Sequence, residues 1–415
     1  MASIARKNLF EDIPRFIVAQ AGIMFAVSLV TIQVGILDGF SRSTTRLIEQ
    51  SEADLWVGAK EMLHLDVTLP MPLERLTTAR QVKGVNRAEA LSSRQAIWLD
   101  KDNRIVPVRV WGFNPEGRLF GQWNLLQGSL KNLKEPYTFI TDRSNLSTLH
   151  LKQVGDTGKI VPSQAKLVGL SDDTQSMASG TSIFASLENA NAFVGSTGSA
   201  LNCTYDAGDI QCDSPLGATT DPAKANAPIP PPRRLNLSDP IVYVLVEAAS
   251  GEDLTALKQR LEAKLPGTKA HTKAEMIAIT EEYWLKRTGI GFILGLGASV
   301  GVVVGMVVVS QILYSSVSDH IKEFGTLKAM GASDWVIYRV ITEQALWMAI
   351  LGYIPSMAFC LGLGMWTVAA KGIVILITPG TAIAVLGVTV IMCVGSALFA
   401  IQKVTNVDPA IVFKA

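Results

Sequence analysis

The stretch FIVAQAGIMFAVSLVTIQVGIL, residues 16–37, has no charged side chain along its whole length. Its length meets the roughly 20 apolar residues that a helix needs to cross a hydrocarbon core of about 30 Å. Three later stretches, 288–315, 345–370 and 382–401, are equally uncharged. Because lipid offers no partner for a backbone N–H or C=O group, each stretch is predicted to be a membrane-spanning helix. The 48% hydrophobic content of the chain agrees with a membrane protein.

The first apolar stretch is predicted to remain as an anchor rather than to be removed as a signal peptide. Arg6 and Lys7 precede it, as basic residues precede a signal peptide. However, its apolar run is longer than the roughly 7 to 15 residues of a signal peptide core. Residues 37–40 also offer no cleavage site made of small residues.

Basic residues near the spans indicate how the chain is oriented. Lys371 is the basic residue of the short loop between the third and fourth spans, and the basic residues on the other side are Arg6, Lys7, Arg15, Lys322, Lys328, Arg339, Lys403 and Lys414. By the positive-inside rule, segment 1–15, loop 316–344 and tail 402–415 are predicted to be cytoplasmic. The long segment 38–287 is then extracytoplasmic, since long domains translocate regardless of their charge.

The segment 38–287 is predicted to be a large α+β periplasmic domain. Residues 105–111 alternate as a half-buried strand does, and the β-branched run 241–247 precedes a helix over 252–265 with leucines at helical spacing. Residues 195–239 are rich in Gly, Ser, Asn, Asp and Pro, which predicts a flexible loop.

The end of this domain contains a helix start signal. Thr272 and Glu275 match a capping box, so a helix is predicted to begin there and to pass through Trp284 directly into the second span. Such a continuous helix would be a stiff rod that could transmit movement, or it could simply anchor the domain.

Two cysteines on the predicted outer side lie close together in sequence. Cys203 and Cys212 are predicted to form a disulfide, because that compartment is oxidising. A metal site is the weaker interpretation, because the outer histidines are not at ligand spacing from them: His64, His150 and His271. Cys360 and Cys393 lie in predicted spans, where buried and inert thiols are expected.

Several kinds of chemistry are disfavoured by the sequence. The P-loop motif is absent, so any ATP is expected to bind another polypeptide. A Gly-x-Ser-x-Gly pattern around Ser299 resembles the nucleophile motif of hydrolases, but it lies inside a predicted span with no strand before it. We therefore expect no hydrolase activity and predict no catalytic residue in this chain. The spans also lack the charged residues typical of ion-coupled carriers.

Small-residue spacing in the second span predicts either packing within the bundle or a dimer contact, through Gly291, Gly295, Gly297, Gly301 and Gly305.

The loop between the second and third spans reads SSVSDHIKEFGTLKAMGAS over residues 315–333. Gly331 suits the C-terminal cap of one helix and Ser333 the N-cap of the next, so two helices joined by a tight turn are predicted. An ordinary cytoplasmic hairpin would show the same pattern.

Part of this loop, EFGTLKAMGAS over 323–333, resembles the cytoplasmic coupling region of the FtsX/MacB superfamily of ABC transporter permeases. The order of spans, with a large outer domain between the first and second, is the order of that family. Five further runs resemble its DevC type, which is known from cyanobacterial glycolipid export: residues 21–27, 52–57, 281–297, 310–320 and 407–413. The loop 195–239 is not recognised as a family feature, which leaves the cargo and partner specificity open.

The resemblance implies a function and a set of partners. Such permeases are dimers above two ATPase subunits, which use ATP and Mg, and this chain would bind no cofactor itself. The complex would lie in the bacterial inner membrane. With a membrane-fusion adaptor and a TolC-like outer-membrane channel, it would export an amphiphile such as a glycolipid or peptide. The implied ATPase contact consists of Glu323, Gly325, Thr326, Lys328, Gly331 and Ala332.

Other functions stay open at this point. A LolC-type permease extracts lipoproteins, a division-type FtsX transmits a signal to a cell-wall hydrolase, and a membrane-anchored sensor or scaffold would need no ATPase. The resemblance favours a homodimer with a second copy of this chain, although some relatives pair two different permeases. The identity of the cargo stays open.

Overall fold

The computed structural model describes residues 13–102, 104–160, 163–195, 202–206, 209–213, 231–319, 326, 330, 333–371 and 375–405. The chain forms two compact units. One unit contains Met1–Gly39 and Thr288–Ala415, and the other contains Phe40–Arg287.

Eight α-helices are described. In chain order they are α1 (Ile13–Glu49), α2 (Glu74–Arg80), α3 (Leu187–Gly195), α4 (Leu254–Lys264), α5 (Lys273–Glu282), α6 (Ile290–Asp319), α7 (Asp334–Lys371) and α8 (Pro379–Thr405). A π-helical segment, Tyr283–Arg287, follows α5 directly.

Fourteen strands are described. They are β1 (Leu55–Ala59), β2 (Met71–Pro72), β3 (Val85–Leu99), β4 (Ile105–Phe113), β5 (Leu125–Gly128), β6 (Thr138–Asp142), β7 (Thr157–Ile160), β8 (Ser163–Ser171), β9 (Thr181–Ser186), β10 (Asn202–Asp206), β11 (Asp209–Asp213), β12 (Pro240–Ile241), β13 (Tyr243–Ala248) and β14 (Thr268–Thr272).

Four of the helices are long and apolar enough to cross a membrane: Phe16–Glu49, Ile290–Ser318, Tyr338–Val368 and Pro379–Leu398. Together with the mixed unit between the first and second, they confirm the predicted fold class of four spans and a large α+β domain. The helices extend beyond the predicted stretches because helical geometry continues through charged and amphipathic turns, which a search for uncharged residues excludes.

Ten strands form one sheet in the order β14-β1-β13-β3-β4-β9-β6-β8-β5, with β7 beside β3 and β8. Most neighbours are antiparallel, but β4 pairs with β9 and β6 with β8 in parallel. The side chains of β1 alternate between two buried clusters, as strand geometry requires. Leu55 and Val57 belong to a cluster that includes Leu257 and Leu261 of α4, while Trp56 belongs to a second cluster.

The capping box predicted at the start of α5 is present. The Thr272 hydroxyl accepts a hydrogen bond from the Glu275 amide at 3.2 Å, and the Glu275 carboxylate accepts one from the Thr272 amide at 2.8 Å. These two bonds satisfy backbone donors that would otherwise have no partner at the helix start.

The predicted rod through Trp284 into the second span is wrong. Thr288 and Gly289 separate the π-helical segment from α6, and Gly289 has a φ of 74°. A positive φ ends a right-handed helix, and glycine adopts it without steric cost. The sequence on both sides of the break has a helical pattern, and this pattern predicts one continuous helix. A single residue in the left-handed conformation does not change the pattern, so the break could not be predicted from it.

The predicted flexible loop 195–239 contains regular structure. Strands β10 and β11 pair as an antiparallel hairpin inside it. At its end, the amides of Leu73 and Glu74 donate to the carbonyls of Asp239 and Leu237 at 2.9 and 2.8 Å. The last residues of this segment are therefore fixed to the domain, in contrast to the prediction from composition.

Candidate functional site

The predicted ATPase contact lies mostly outside the described residues, which exclude Glu323, Gly325, Lys328, Gly331 and Ala332. Thr326 is described and helical. Its carbonyl accepts a hydrogen bond from the Met330 amide at 3.0 Å, which is the spacing of one α-helical turn.

Two apolar side chains, one within this segment and one shortly after it, are well exposed. Met330 is 72% exposed and Trp335, in the first turn of α7, is 75% exposed. Large apolar side chains with this exposure in a loop between spans are typical of protein contacts. The sequence analysis missed both residues, although a Met and a Trp within a polar loop were a readable signal.

The glycines of α6 divide into two groups. A methyl group added at Gly297 would lie 2.7 Å from Gln33 Nε2, and one at Gly301 would lie 3.2 Å from Leu29 Cδ2. One at Gly305 would overlap Met392 Sδ and would lie 2.8 Å from Ala26 Cβ. These three glycines therefore allow α6 to approach α1 and α8 closely.

Gly295 is different, because among the described residues no heavy atom outside its own helical neighbourhood lies within 4 Å of a methyl group added there. Gly291 lies in the first turn of α6. A dimer contact through these two glycines stays a prediction.

Polar contacts connect the other helices of the bundle. The Ser396 hydroxyl donates to the Met306 carbonyl at 2.9 Å, which joins α8 to α6. The Tyr353 hydroxyl donates to the Ala382 carbonyl at 2.9 Å, which joins α7 to α8. Cys360 and Cys393 are buried free thiols in this bundle. Both thiols therefore act as small apolar groups that fill space in the bundle.

The outer cysteines lie on the β10–β11 hairpin, where the backbone register pairs Cys203 directly with Cys212. Directly opposed residues of an antiparallel pair have Cα atoms about 4.5 to 5.5 Å apart, which is within disulfide range. The disulfide itself stays a prediction. Within the described ranges, no three His, Cys, Asp or Glu residues come together as metal ligands would.

Four aromatic residues meet where the Phe40–Arg287 unit begins and ends, and we call Phe40, His64, Tyr283 and Trp284 the junction cluster. The His64 ring stacks on Tyr283 with centroids 4.1 Å apart and meets Trp284 edge-on at 5.2 Å. Trp284 also contacts Phe40 at 5.5 Å. Burial lowers the pKa of His64; Asp66 opposes the shift and Arg109 adds to it. The histidine is therefore neutral at pH 7.

The loop that carries His64 is held by buried polar contacts. Arg109 Nε lies 3.5 Å from Asp66 Oδ1, and the Ser179 hydroxyl donates to the other oxygen of the Asp66 carboxylate. The Tyr243 hydroxyl donates to the Leu65 carbonyl at 2.9 Å. The sequence analysis considered His64 only as a metal ligand, because residues far apart in the chain form these contacts.

Four spans, a large α+β domain between the first and second, and a segment with exposed apolar groups between the second and third define a class, the permease subunits of ABC transporters. The MacB-like periplasmic core domain model matches residues 16–264 and the FtsX-like permease C-terminal model matches residues 290–409. The chain therefore belongs to the MacB-like and FtsX-like family of ABC transporter permeases. In this family an ABC ATPase is the expected partner and dimers are frequent.

Three solved structures illustrate what this chain is similar to. The periplasmic region of MacB from Actinobacillus actinomycetemcomitans has 9% identity and a TM-score of 0.33, over 55% of this chain and 92% of that one. The extracellular domain of the noncanonic ABC-type transporter YknZ from Gram-positive bacteria has 9% identity and a TM-score of 0.33, over 52% and 99%. A domain of a putative permease from Porphyromonas gingivalis has 12% identity and a TM-score of 0.30, over 52% and 85%. No curated protein matches this chain significantly.

Proposed function

We propose that this chain is the permease subunit of an ATP-driven tripartite exporter of the DevC type. Movement of a separate ATPase, which uses ATP and Mg, is relayed through the spans to the periplasmic domain, and an amphiphilic cargo such as a glycolipid or peptide is expelled. The observation that carries the proposal is the order of parts, with the outer domain after the first span and, after the second, the loop whose sequence resembles a coupling region.

The exposed pair Met330 and Trp335 supports an ATPase contact in that segment. Met330 lies within the run that resembles the coupling region and Trp335 lies two residues beyond it. Aromatic anchors supply much of the binding energy of protein interfaces. Small residues such as Gly331 and Ala332 would let the ATPase approach the backbone closely, and Lys328 would pair with an acidic groove. Met330 and Trp335 thereby add two exposed side chains to the ATPase contact that the resemblance implies.

The remaining partners and the location complete the proposal. A second permease copy, a membrane-fusion adaptor and a TolC-like channel would assemble with this chain. The location would be the bacterial inner membrane, with both termini in the cytoplasm, as the distribution of basic residues indicates. The chain would bind no cofactor of its own.

The test is a pull-down of the tagged full chain from gently solubilised membranes, with mass spectrometry and an ATPase assay. Trp335→Ala combined with Met330→Ala, and separately Gly331→Asp, should reduce the retained ATPase by about tenfold or more, since a buried anchor contributes about 2 kcal/mol. Trp366→Ala is the matched control, because Trp366 is 65% exposed near the other end of the same helix and should leave the ATPase bound.

The proteins that accompany the wild type decide between the functions. An ATPase with an adaptor and a channel supports export. A cell-wall hydrolase in place of the adaptor would indicate division signalling, and a soluble lipoprotein carrier would indicate extraction. A wild-type chain that retains no ATPase in an otherwise intact complex would overturn the assignment and favour a sensor or scaffold.

A further inference from the structure

One loop of the periplasmic domain presents apolar side chains to its surroundings. We call residues 60–70 the apolar loop; in it Leu63, Val67 and Leu69 are 44%, 45% and 53% exposed. Three exposed large apolar residues within seven positions are unusual for a surface that only water covers. The proposed function does not use this loop.

The loop holds these side chains in a fixed arrangement. The Leu63 amide donates to the Val67 carbonyl at 2.9 Å, and the Val67 amide donates to the His64 carbonyl at 3.1 Å. His64 and Leu65 between them are buried, at 2% and 3% exposure. With Asp66 bound by Arg109 and Ser179, the loop is anchored from the domain side and cannot turn its apolar residues inward without breaking these contacts.

The loop contacts residues that lie close in sequence to the ends of two spans. Its His64 contacts Tyr283 and Trp284, which come just before α6, and Trp284 contacts Phe40. Phe40 is three residues beyond the uncharged stretch of α1, a rise of about 4.5 Å along a helix. Tyrosine and tryptophan at the ends of spans are typical of the lipid–water interface.

Charge next to the cluster also fits a lipid surface. Lys286 and Arg287 follow Trp284 after one intervening residue and are both exposed. Basic side chains at this level attract anionic head groups, while apolar neighbours enter the boundary between head groups and acyl chains.

We propose that the apolar loop is seated in the outer leaflet of the membrane, with Leu63, Val67 and Leu69 in contact with phospholipid at the boundary of head groups and acyl chains. The loop attaches the periplasmic domain to the bilayer independently of its two covalent connections to the spans. Its occupant is bulk phospholipid, not a protein partner and not the exported cargo.

The test uses the full chain with Val67→Cys, labelled with an environment-sensitive fluorophore, in nanodiscs of phosphatidylcholine and phosphatidylglycerol without any partner protein. The lipids carry a spin-label quencher near the top of the acyl chain, since interfacial groups insert about 5–10 Å. Wild type treated with the dye measures labelling of the native cysteines. Ile105→Cys is the matched control, because Ile105 is 62% exposed on β4 of the same domain.

The expected result is quenching at position 67 at least about twice that at position 105, together with a blue-shifted emission. A label at 67 that the lipid quencher does not affect would overturn the proposal, and a blue shift without quenching would indicate a protein contact instead. Equal quenching at both positions would also overturn it. Leu69→Cys is a second labelling site that must give the same answer if Val67→Cys fails to fold.

Discussion

Asp239 shows how a single ion pair can order a segment whose composition predicts disorder. Its carboxylate is buried and lies 2.7 and 2.5 Å from the two terminal nitrogens of Arg233. The same carboxylate accepts the Asn236 amide at 2.6 Å. Composition counts Gly, Ser and Pro but does not report a bidentate pair six residues apart, so this end of the segment could not be predicted as ordered.

The Asp239 pair predicts a pH-dependent contribution to the stability of the periplasmic domain. The hydrogen bond from Arg233 lowers the pKa of Asp239 in the folded chain, although burial opposes the shift. The contribution is therefore complete well above the unfolded pKa of about 3.9, and it is lost as the pH falls below that value through the folded pKa. At pH 7, Asp239→Asn should lower the free energy of unfolding by about 1–2 kcal/mol.

Denaturant unfolding of the full chain in detergent, followed by tryptophan fluorescence, checks this prediction. The gap between wild type and variant should narrow as the pH is lowered towards 3. Asn236→Ala is the control, because Asn236 contacts Asp239 through its backbone amide and carbonyl, and both groups remain in the variant. A gap that is constant across this pH range would contradict the role of the Asp239 charge.

At the scale of the elements, the glycines of α6 show what spacing alone can and cannot decide. The repeat of Gly297, Gly301 and Gly305 predicts a face that another helix approaches closely, and the structure places α1 and α8 there. Spacing could not identify that neighbour, because the same repeat serves a second copy of the chain equally well. The helix break at Gly289 could not be predicted from spacing either, since it depends on the φ angle of one residue.

Gly305 and Gly295 form a matched pair for a packing test. Gly305→Ala should destabilise the bundle by about 1–3 kcal/mol, because the added methyl overlaps Met392 and Ala26. Gly295→Ala should leave stability unchanged or slightly raised, since alanine favours helix over glycine by about 1 kcal/mol. Thermal unfolding can be followed with a thiol-reactive dye, because Cys360 and Cys393 are buried until the bundle opens. An equal loss in both variants would contradict the packing assigned to Gly305.

At the scale of the whole molecule, the sequence was enough for the four spans and the mixed outer domain, but not for the sheet. Charge depletion over about 20 residues is a local signal, and lipid leaves a single solution for the backbone. Strand order is not local: β1 lies between β13 and β14, whose residues are about 200 positions away. The anchored loop around His64 was missed for the same reason.

The compartment of the outer domain can be tested through its cysteines. In protein isolated from membranes with free thiols blocked, non-reducing peptide mapping should find Cys203 linked to Cys212, since the hairpin register opposes them and the periplasm is oxidising. Cys360 and Cys393 serve as internal controls, because both are buried free thiols that should remain unlinked. Finding Cys203 and Cys212 free would argue against an oxidising compartment for this hairpin.

The contact between Phe40 and Trp284, with ring centroids 5.5 Å apart, brings the entry and the exit of the periplasmic domain together. A domain whose two ends meet can be inserted into a host chain, or removed from it, without rerouting the host. Evolution could therefore replace the outer domain of such a permease as a unit and keep the spans and the loop between the second and third spans unchanged. The same geometry marks residues 40 and 287 as graft points for building chimaeras that test which half selects the cargo.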